Sequence, residues 1–376
     1  MKKIIYFVSE DWYFCSHRLP IARAAKKSGF EVVVVTNVDK HEKIITSEGF
    51  RLIPIKLNRR GKNPLKELNI IFNLIRIFKK EKPDIVHNVA LKPVIYGSVA
   101  AFFSPKSYVV NALAGLGYIF SGNNFFSSFS RSVFIGIYKL IFFNKKTIGL
   151  FQNPEDKNIF ISKKILPKER TELIKGSGVD VKQYEHKEDS EETYMKILIA
   201  SRMLWSKGIG DLIKASHILA QKKIKFKTII VGKPDTCNPD SIPLEKLEEW
   251  SKLPYVEYLG YQSQMHKIIK NSNIIALPTT YGEGVPKFLI EAASSGRPIV
   301  TNNEPGCKEI VKNGVNGFLV PAKNIEKLAD ALELLILNRD LRLKFGKAGR
   351  KIVENEFSEE IVIEKTLNLY KSLLNK

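Results

Sequence analysis

Short apolar runs recur along the chain, and the stretches between them carry apolar residues at helical spacing. In the first half the runs fall at 4–8, 32–36, 52–55, 84–88, 108–111 and 147–152. Amphipathic stretches at 18–27 and 64–80 lie among them. In the second of these, Leu65, Leu68, Ile71, Phe72 and Ile75 share a helical face, and Pro64 stands where a first-turn proline belongs. Segment 182–194 is polar and lacks aliphatic residues, so it is a linker. The pattern then restarts with strands at 196–201, 228–231, 256–259, 274–277 and 299–301, and 324–376 is nearly all helical in pattern. Strands alternating with helices predict parallel sheets covered on both faces. The fold class expected is therefore α/β, with two doubly wound Rossmann-like domains facing across a cleft. The expected boundaries are 1–181, a linker 182–194, 195–355, and a helix 356–376 that returns to the first domain. Such folds bind ligands beyond the strand ends, so the chemistry is sought in loops that follow strands.

A chain of 376 residues, 44% hydrophobic, is long enough for two cores and excludes wholesale disorder. Three distant cysteines, Cys15, Cys237 and Cys307, argue against a disulfide scaffold and a zinc ribbon, and suit a reducing cytoplasm. The first apolar run is followed at once by Glu10 and Asp11, which reads as a strand rather than a signal peptide. No uncharged apolar run reaches the roughly 18 residues of a membrane span, so the expectation is a soluble or peripheral protein. Charge changes the picture more. Of the formal net charge of +21, residues 1–180 carry +16, and 101–150 hold twelve Phe and Tyr but no acidic residue. A basic, aromatic half suits a polyanionic partner, a nucleic acid or an anionic membrane surface. A base composition favouring Lys, Ile and Phe codons gives the same bias.

Two loops carry the candidate chemistry. After the strand ending at Ser201, Arg202 and Lys207 stand five residues apart ahead of a helix that starts near Gly208. A planar guanidinium fork and a point charge can converge on a diphosphate; two solvated surface charges are the plain alternative. After the strand ending at Leu277, a glycine-bearing loop holds Glu283, Gly284, Val285, Pro286, Lys287 and Phe288, with Pro286 opening a helix that contains Glu291. Loop N–H groups and the helix start form an anion site. The two carboxylates sit at different depths along one ligand, which suits separate hydroxyl groups. His17 and Arg18 at a helix start can meet a phosphate or a sugar, or make a simple loop contact. His87 and Asn111, at strand ends, are ligand contacts or hydrogen-bonded core residues.

Other chemistries lack their parts. No Gly-x-Gly-x-x-Gly follows the first strand, and there is no nucleophile elbow, phosphate-binding P-loop, His-Glu-x-x-His or Asp-x-Asp. Metal independence is the expectation. Cys307 reads as a packed, unreactive thiol.

At these residues the chain resembles glycosyltransferase family 4, retaining enzymes of GT-B fold, over essentially its whole length. Glu283 and Glu291 with Gly284, Pro286 and Lys287 between them look like that family's paired-glutamate motif, and 201–208 like its diphosphate loop. Segments 296–300 and 313–320 match its donor-domain landmarks. A narrower similarity, to bacterial capsule and O-antigen transferases that act on undecaprenyl-diphosphate-linked sugars, rests on Asp11-Trp12, 16–20, 111–118 and 176–180. Cys15-Ser16-His17-Arg18 stands where many members have a Gly-Gly loop, and Asn111 where they have a histidine.

The resemblance implies an acceptor-binding first domain and a nucleotide-sugar-binding second domain. It implies that Arg202 and Lys207 neutralise the departing diphosphate, that Glu283 and the 284–288 backbone hold the donor sugar and β-phosphate, and that Glu291 binds the ribose. No cofactor is expected. The donor expected is a UDP-activated N-acetylhexosamine, the acceptor a polyprenyl-diphosphate-linked saccharide, and the place the cytoplasmic face of the plasma membrane. A sugar-nucleotide epimerase of the same architecture and a basic nucleic-acid-binding protein are the rivals; against the latter, no nucleic-acid-binding motif is visible.

Overall fold

The apolar runs pair into two all-parallel sheets in the computed structural model, which describes all residues except 58–62, 114, 116–124, 189–193, 237, 281 and 376, and for 125–130 describes the backbone only. The chain forms two compact units: Met1–Ser177 with Glu359–Lys376, and Gly178–Ser358. Tyr118, Cys237, Tyr281 and part of the segment 111–118 lie outside the described residues.

The first unit holds β1 (Lys2–Glu10), β2 (Phe30–Asn37), β3 (Arg51–Pro54), β4 (Ile85–Val89), β5 (Tyr108–Leu113), β6 (Thr147–Phe151) and β7 (Thr171–Leu173). Their order across the sheet is β3-β2-β1-β4-β5-β6-β7, so the direction of winding reverses between β1 and β4. Both faces are buried. Tyr6, Val8 and Val34 pack under helices on one side, and Ile5, Phe7 and Val33 on the other. This two-sided burial is why the strands are continuously apolar rather than alternating. The helix Pro64–Glu81 starts where its proline predicts: Asn63 Oδ1 accepts from the Leu65 and Lys66 N–H groups. The last helix, Glu359–Leu374, belongs to this unit and contributes Val362, Leu369, Tyr370 and Leu373 to its core.

The second unit holds β8 (Met195–Ala200), β9 (Phe226–Val231), β10 (Val256–Tyr258), β11 (Ile274–Leu277), β12 (Ile299–Asn302) and β13 (Gly317–Val320), in the order β10-β9-β8-β11-β12-β13. Residues 182–188, polar in composition, lie in this unit, where Tyr184 is buried in its core. Arg350 fixes that turn by donating to the Tyr184 and Val181 carbonyls.

β7, three residues long, and β13 escape the periodic pattern, and between β1 and the helix Leu19–Lys27 lies a further short helix, Asp11–His17. Among the described residues no helix is long and apolar enough to cross a membrane.

Candidate active site

In the second sheet the winding reverses between β8 and β11, and the two candidate loops are the ones that leave those adjacent strands. A crevice beyond the strand ends at such a switch point is where doubly wound sheets take ligands. Sequence places Arg202 and Lys207 on one loop and Glu283 on the other; topology brings them together.

The loop after β8 ends in a turn of 3-10 helix, Trp205–Lys207, and Gly208 then begins the helix Ile209–Gln221. Gly208 has φ +76°, and a Cβ there would stand 2.0 Å from the Pro278 carbonyl oxygen. Backbone thus lies directly on backbone between the two loops. The Thr280 N–H donates to the Ser206 carbonyl at 2.8 Å, and the Thr279 hydroxyl reaches the same oxygen at 3.2 Å. Asp240 closes the loop from the other side, accepting from the Ser206 N–H at 3.1 Å and from the Ser206 hydroxyl. Gly208→Ala is expected to destabilise the chain by more than the roughly 1–2 kcal/mol of a left-handed non-glycine residue, because the overlap with Pro278 adds to it. Chemical denaturation of both proteins checks this, and an unchanged midpoint would refute the close approach.

Lys207 is 7% exposed and forms an ion pair with Glu283. Burial, and next the Arg202 guanidinium, pull its ammonium down to about 7. Arg202 is more exposed and donates from Nη1 to Asp235 Oδ2 at 3.3 Å. Arg202 and Lys207 therefore share the crevice with the carboxylates of Asp235 and Glu283, and the buried cation is the one that needs an anion most.

Glu291 is the fifth residue of the helix Lys287–Ser294, whose N-cap is Pro286. Its carboxyl is pushed up by burial, against the pull of the Lys287 ammonium 3.9 Å away and of a hydrogen bond from Tyr184. Tyr184 is a partner the sequence reading missed; an aromatic residue inside a polar segment was its only signal. Asp235 and Asp240 were missed as well, hidden in a turn-rich stretch. Gly284 is held close to the next helix, for a Cβ on Gly306 would meet the Gly284 carbonyl oxygen at 1.7 Å. Val285 is buried in the core, and Phe288 packs against it. The 296–300 and 313–320 landmarks have structural duties: Arg297 donates to the Lys187 and Lys270 carbonyls, and Asn316 ties Lys312 to Ile310. Cys307 is buried against Thr301, and burial raises its thiol to about 11.

The first unit distributes its candidates differently. Asn111 is fully buried and spends its amide on Ser98 and Asn88, at 2.8 and 2.9 Å. It is a hydrogen-bonded core residue here. His87 is also fully buried, stacked on Tyr6, with Nδ1 against the Tyr370 hydroxyl; it too is withdrawn from the surface. His17 stacks on Tyr13 with ring centroids 4.0 Å apart. Arg18, the N-cap of Leu19–Lys27, is 3% exposed. Asp11 fastens the end of β1 to the loop after β2. Burial would raise its carboxyl, but the backbone N–H groups of His41, Asp39 and Trp12 outweigh it and hold the carboxyl below its usual range.

Comparison with known proteins agrees with this geometry. A model of the family "Glycosyl transferase 4-like" matches residues 3–153, and one of "Glycosyl transferases group 1" matches residues 180–352. An N,N'-diacetylbacillosaminyl-diphospho-undecaprenol alpha-1,3-N-acetylgalactosaminyltransferase of Campylobacter jejuni is 28% identical over 94% of each chain. The capsular polysaccharide biosynthesis glycosyltransferase CapM of Staphylococcus aureus is 27% identical over 96% of each. Among solved structures, a glycosyltransferase of Rickettsia africae superposes with a TM-score of 0.79 at 20% identity over 99% of each chain. HepE of Anabaena, in complex with UDP and glucose, superposes with a TM-score of 0.78 at 17% identity, over 99% of this chain and 100% of that one. The chain belongs to these glycosyltransferases, and its fold is GT-B. Neither an epimerase nor a nucleic-acid-binding protein is favoured by them.

Proposed function

We propose that this glycosyltransferase moves an N-acetylhexosamine from UDP, with retention and without a metal ion, to a saccharide carried on undecaprenyl diphosphate during assembly of a surface polysaccharide. The observation that carries the reading is the pair Arg202 and Lys207 at the β8/β11 switch point, the second of them buried against Glu283. The activity of the Campylobacter relative supports the acceptor and the class of sugar, and the UDP bound to the Anabaena structure supports the nucleotide.

Departure of UDP builds negative charge on the β-phosphate, and cations fixed before the reaction stabilise it at no reorganisation cost. With the donor bound, the diphosphate supplies the anion that Lys207 takes from Glu283 in the free protein. Glu283 is then released to accept a hydroxyl of the donor sugar. Glu283 is paired to a cation and Glu291 is held by Tyr184 and Lys287, so neither is placed as the free nucleophile of a retaining glycosidase. Retention then proceeds by attack on the face from which UDP leaves. The acceptor oxygen bonds to the anomeric carbon as the bond to the phosphate oxygen breaks, and that phosphate oxygen takes the acceptor's proton. Because side-chain cations carry the diphosphate, a chelator is expected to leave turnover unchanged; loss of turnover restored by magnesium or manganese would overturn metal independence.

A lipid-linked acceptor places the enzyme at the inner face of the plasma membrane. On the helix Pro64–Glu81, Leu65, Leu68 and Phe72 are 77%, 51% and 60% exposed, and Arg76 and Lys79 continue the same stripe. Apolar side chains followed by cations suit the boundary of an anionic bilayer. Binding to phosphatidylglycerol-containing vesicles is expected, and it should weaken steeply with salt as the Debye length shrinks from about 8 Å. Flotation across a salt series measures this; no binding at any salt would contradict the membrane reading. The function itself is tested by incubating the protein with membrane extract and a panel of radiolabelled sugar nucleotides.

A further inference from the structure

Among the described residues, Arg18 is a buried cation without a counter-ion. It is 3% exposed, its Nε has no hydrogen-bond partner, and among the described residues no carboxylate pairs with it. The groups that feel its charge are Tyr6, His87 and Tyr370. Burial keeps all three neutral, pushing both phenols up and the imidazole down, so none of them balances the guanidinium. An uncompensated buried charge is among the most costly features a fold can hold, and one that persists is commonly completed by a ligand.

The guanidinium lines a small cavity at the C-terminal edge of the first sheet. Ala112 from β5, Leu150 from β6, and Gln152 and Gly176 from the segments just after β6 and β7 form its walls, and Thr366 of the last helix closes it. The cavity, of about 10 Å³, has room for a single oxygen atom. An oxygen of a phosphate fits, with the remainder of the group at the mouth. The walls offer an amide side chain and no acid, which selects for an anion.

We infer that Arg18 and this cavity bind the diphosphate of the polyprenyl-linked acceptor. The inference rests on the proposed acceptor and is independent of the donor loops, which lie in the other unit. It separates the two diphosphates of the reaction: Lys207 serves the one that leaves, and Arg18 the one that stays on the acceptor lipid.

Calorimetric titration of the full chain, saturated with UDP to block the donor crevice, tests this with farnesyl diphosphate, farnesol and inorganic pyrophosphate as probes. Farnesyl diphosphate is expected to bind at least tenfold more weakly to Arg18→Met than to the unaltered protein. Farnesol should bind both equally, and UDP affinity should not change. Arg18→Lys, which keeps the charge without the fork, should fall between. The melting temperature of Arg18→Met should hold or rise, since an unpaired buried charge has been removed; a structural arginine would lower it. Equal affinity of both proteins for farnesyl diphosphate would overturn the inference. So would pyrophosphate binding as tightly as farnesyl diphosphate, which would make this a site for free phosphate. A lowered melting temperature with lost UDP binding in both variants would assign Arg18 to the fold instead. Failure of the unaltered protein to bind UDP would count against the donor reading alone.

Discussion

Replacing Lys207 by alanine should lower kcat/KM by roughly two to three orders of magnitude, the range for removing one preorganised donor from a developing anion. Lys207 is 7% exposed, so water cannot substitute for the lost charge. Arg202 is more exposed and already shared with Asp235, so Arg202→Ala should cost less, at least about tenfold. The pH profile identifies the lysine further. Burial and the Arg202 guanidinium hold its ammonium down to about 7, while Cys307 and the Asp240 carboxylate offset part of that fall. Lys207 is therefore charged at low pH and loses its proton as pH rises, and kcat/KM should decline on the alkaline side, beginning no lower than about 7. Lys207→Arg keeps a charge that does not titrate in this range, so it should abolish that limb. Near-normal turnover in Lys207→Ala, or an identical alkaline limb in Lys207→Arg, would remove the lysine from the reaction.

The second large effect divides the glutamates. Glu283 faces Lys207, the proposed partner of the departing diphosphate, whereas Glu291 sits five residues into the helix Lys287–Ser294, next to Tyr184. Glu283→Gln should reduce kcat by about 100-fold, since it disturbs the sugar and the lysine in the transition state. Glu291→Gln should act mainly on donor KM, by about tenfold, because ribose contacts are similar in ground and transition states. Glutamine still accepts the tyrosine hydroxyl, so the fold should persist, and circular dichroism checks it. Lys207→Ala combined with Glu283→Gln should cost much less than the product of the single effects, because each removes one end of the same ion pair. A strictly multiplicative double variant would show that the two residues act apart.

Most of the strand framework was legible because both sheets are buried on two faces, which writes each strand as an uninterrupted apolar run. The exceptions are physical. β7 contributes only Thr171, Glu172 and Leu173 at a sheet edge, too short to show a period. The helix Asp11–His17 buries only Asp11 and Phe14, so it lacks an apolar stripe. Arg202, Lys207, Glu283 and Glu291 were readable because each follows a strand and carries charge. Tyr184 was not, because its meeting with Glu291 depends on a tertiary turn held by Arg350. His87 and Asn111, expected at strand ends, lie inside β4 and β5. What sequence could not give is the facing of neighbouring strands: Asn88 lies opposite Asn111 in register and binds it, and Tyr370 arrives from the far end of the chain to cap His87.

The most direct test of the account follows label from the donor. UDP-N-acetyl[¹⁴C]galactosamine is incubated with the protein and a membrane extract that carries undecaprenyl-diphosphate saccharides. The label is predicted to enter the organic phase, to be released from it by mild acid, and to be α-linked in the released saccharide. The same assay should show no transfer by Lys207→Ala above background. Label that stays in the aqueous phase as an epimerised sugar nucleotide, or that enters lipid in a β-linkage, would contradict the account.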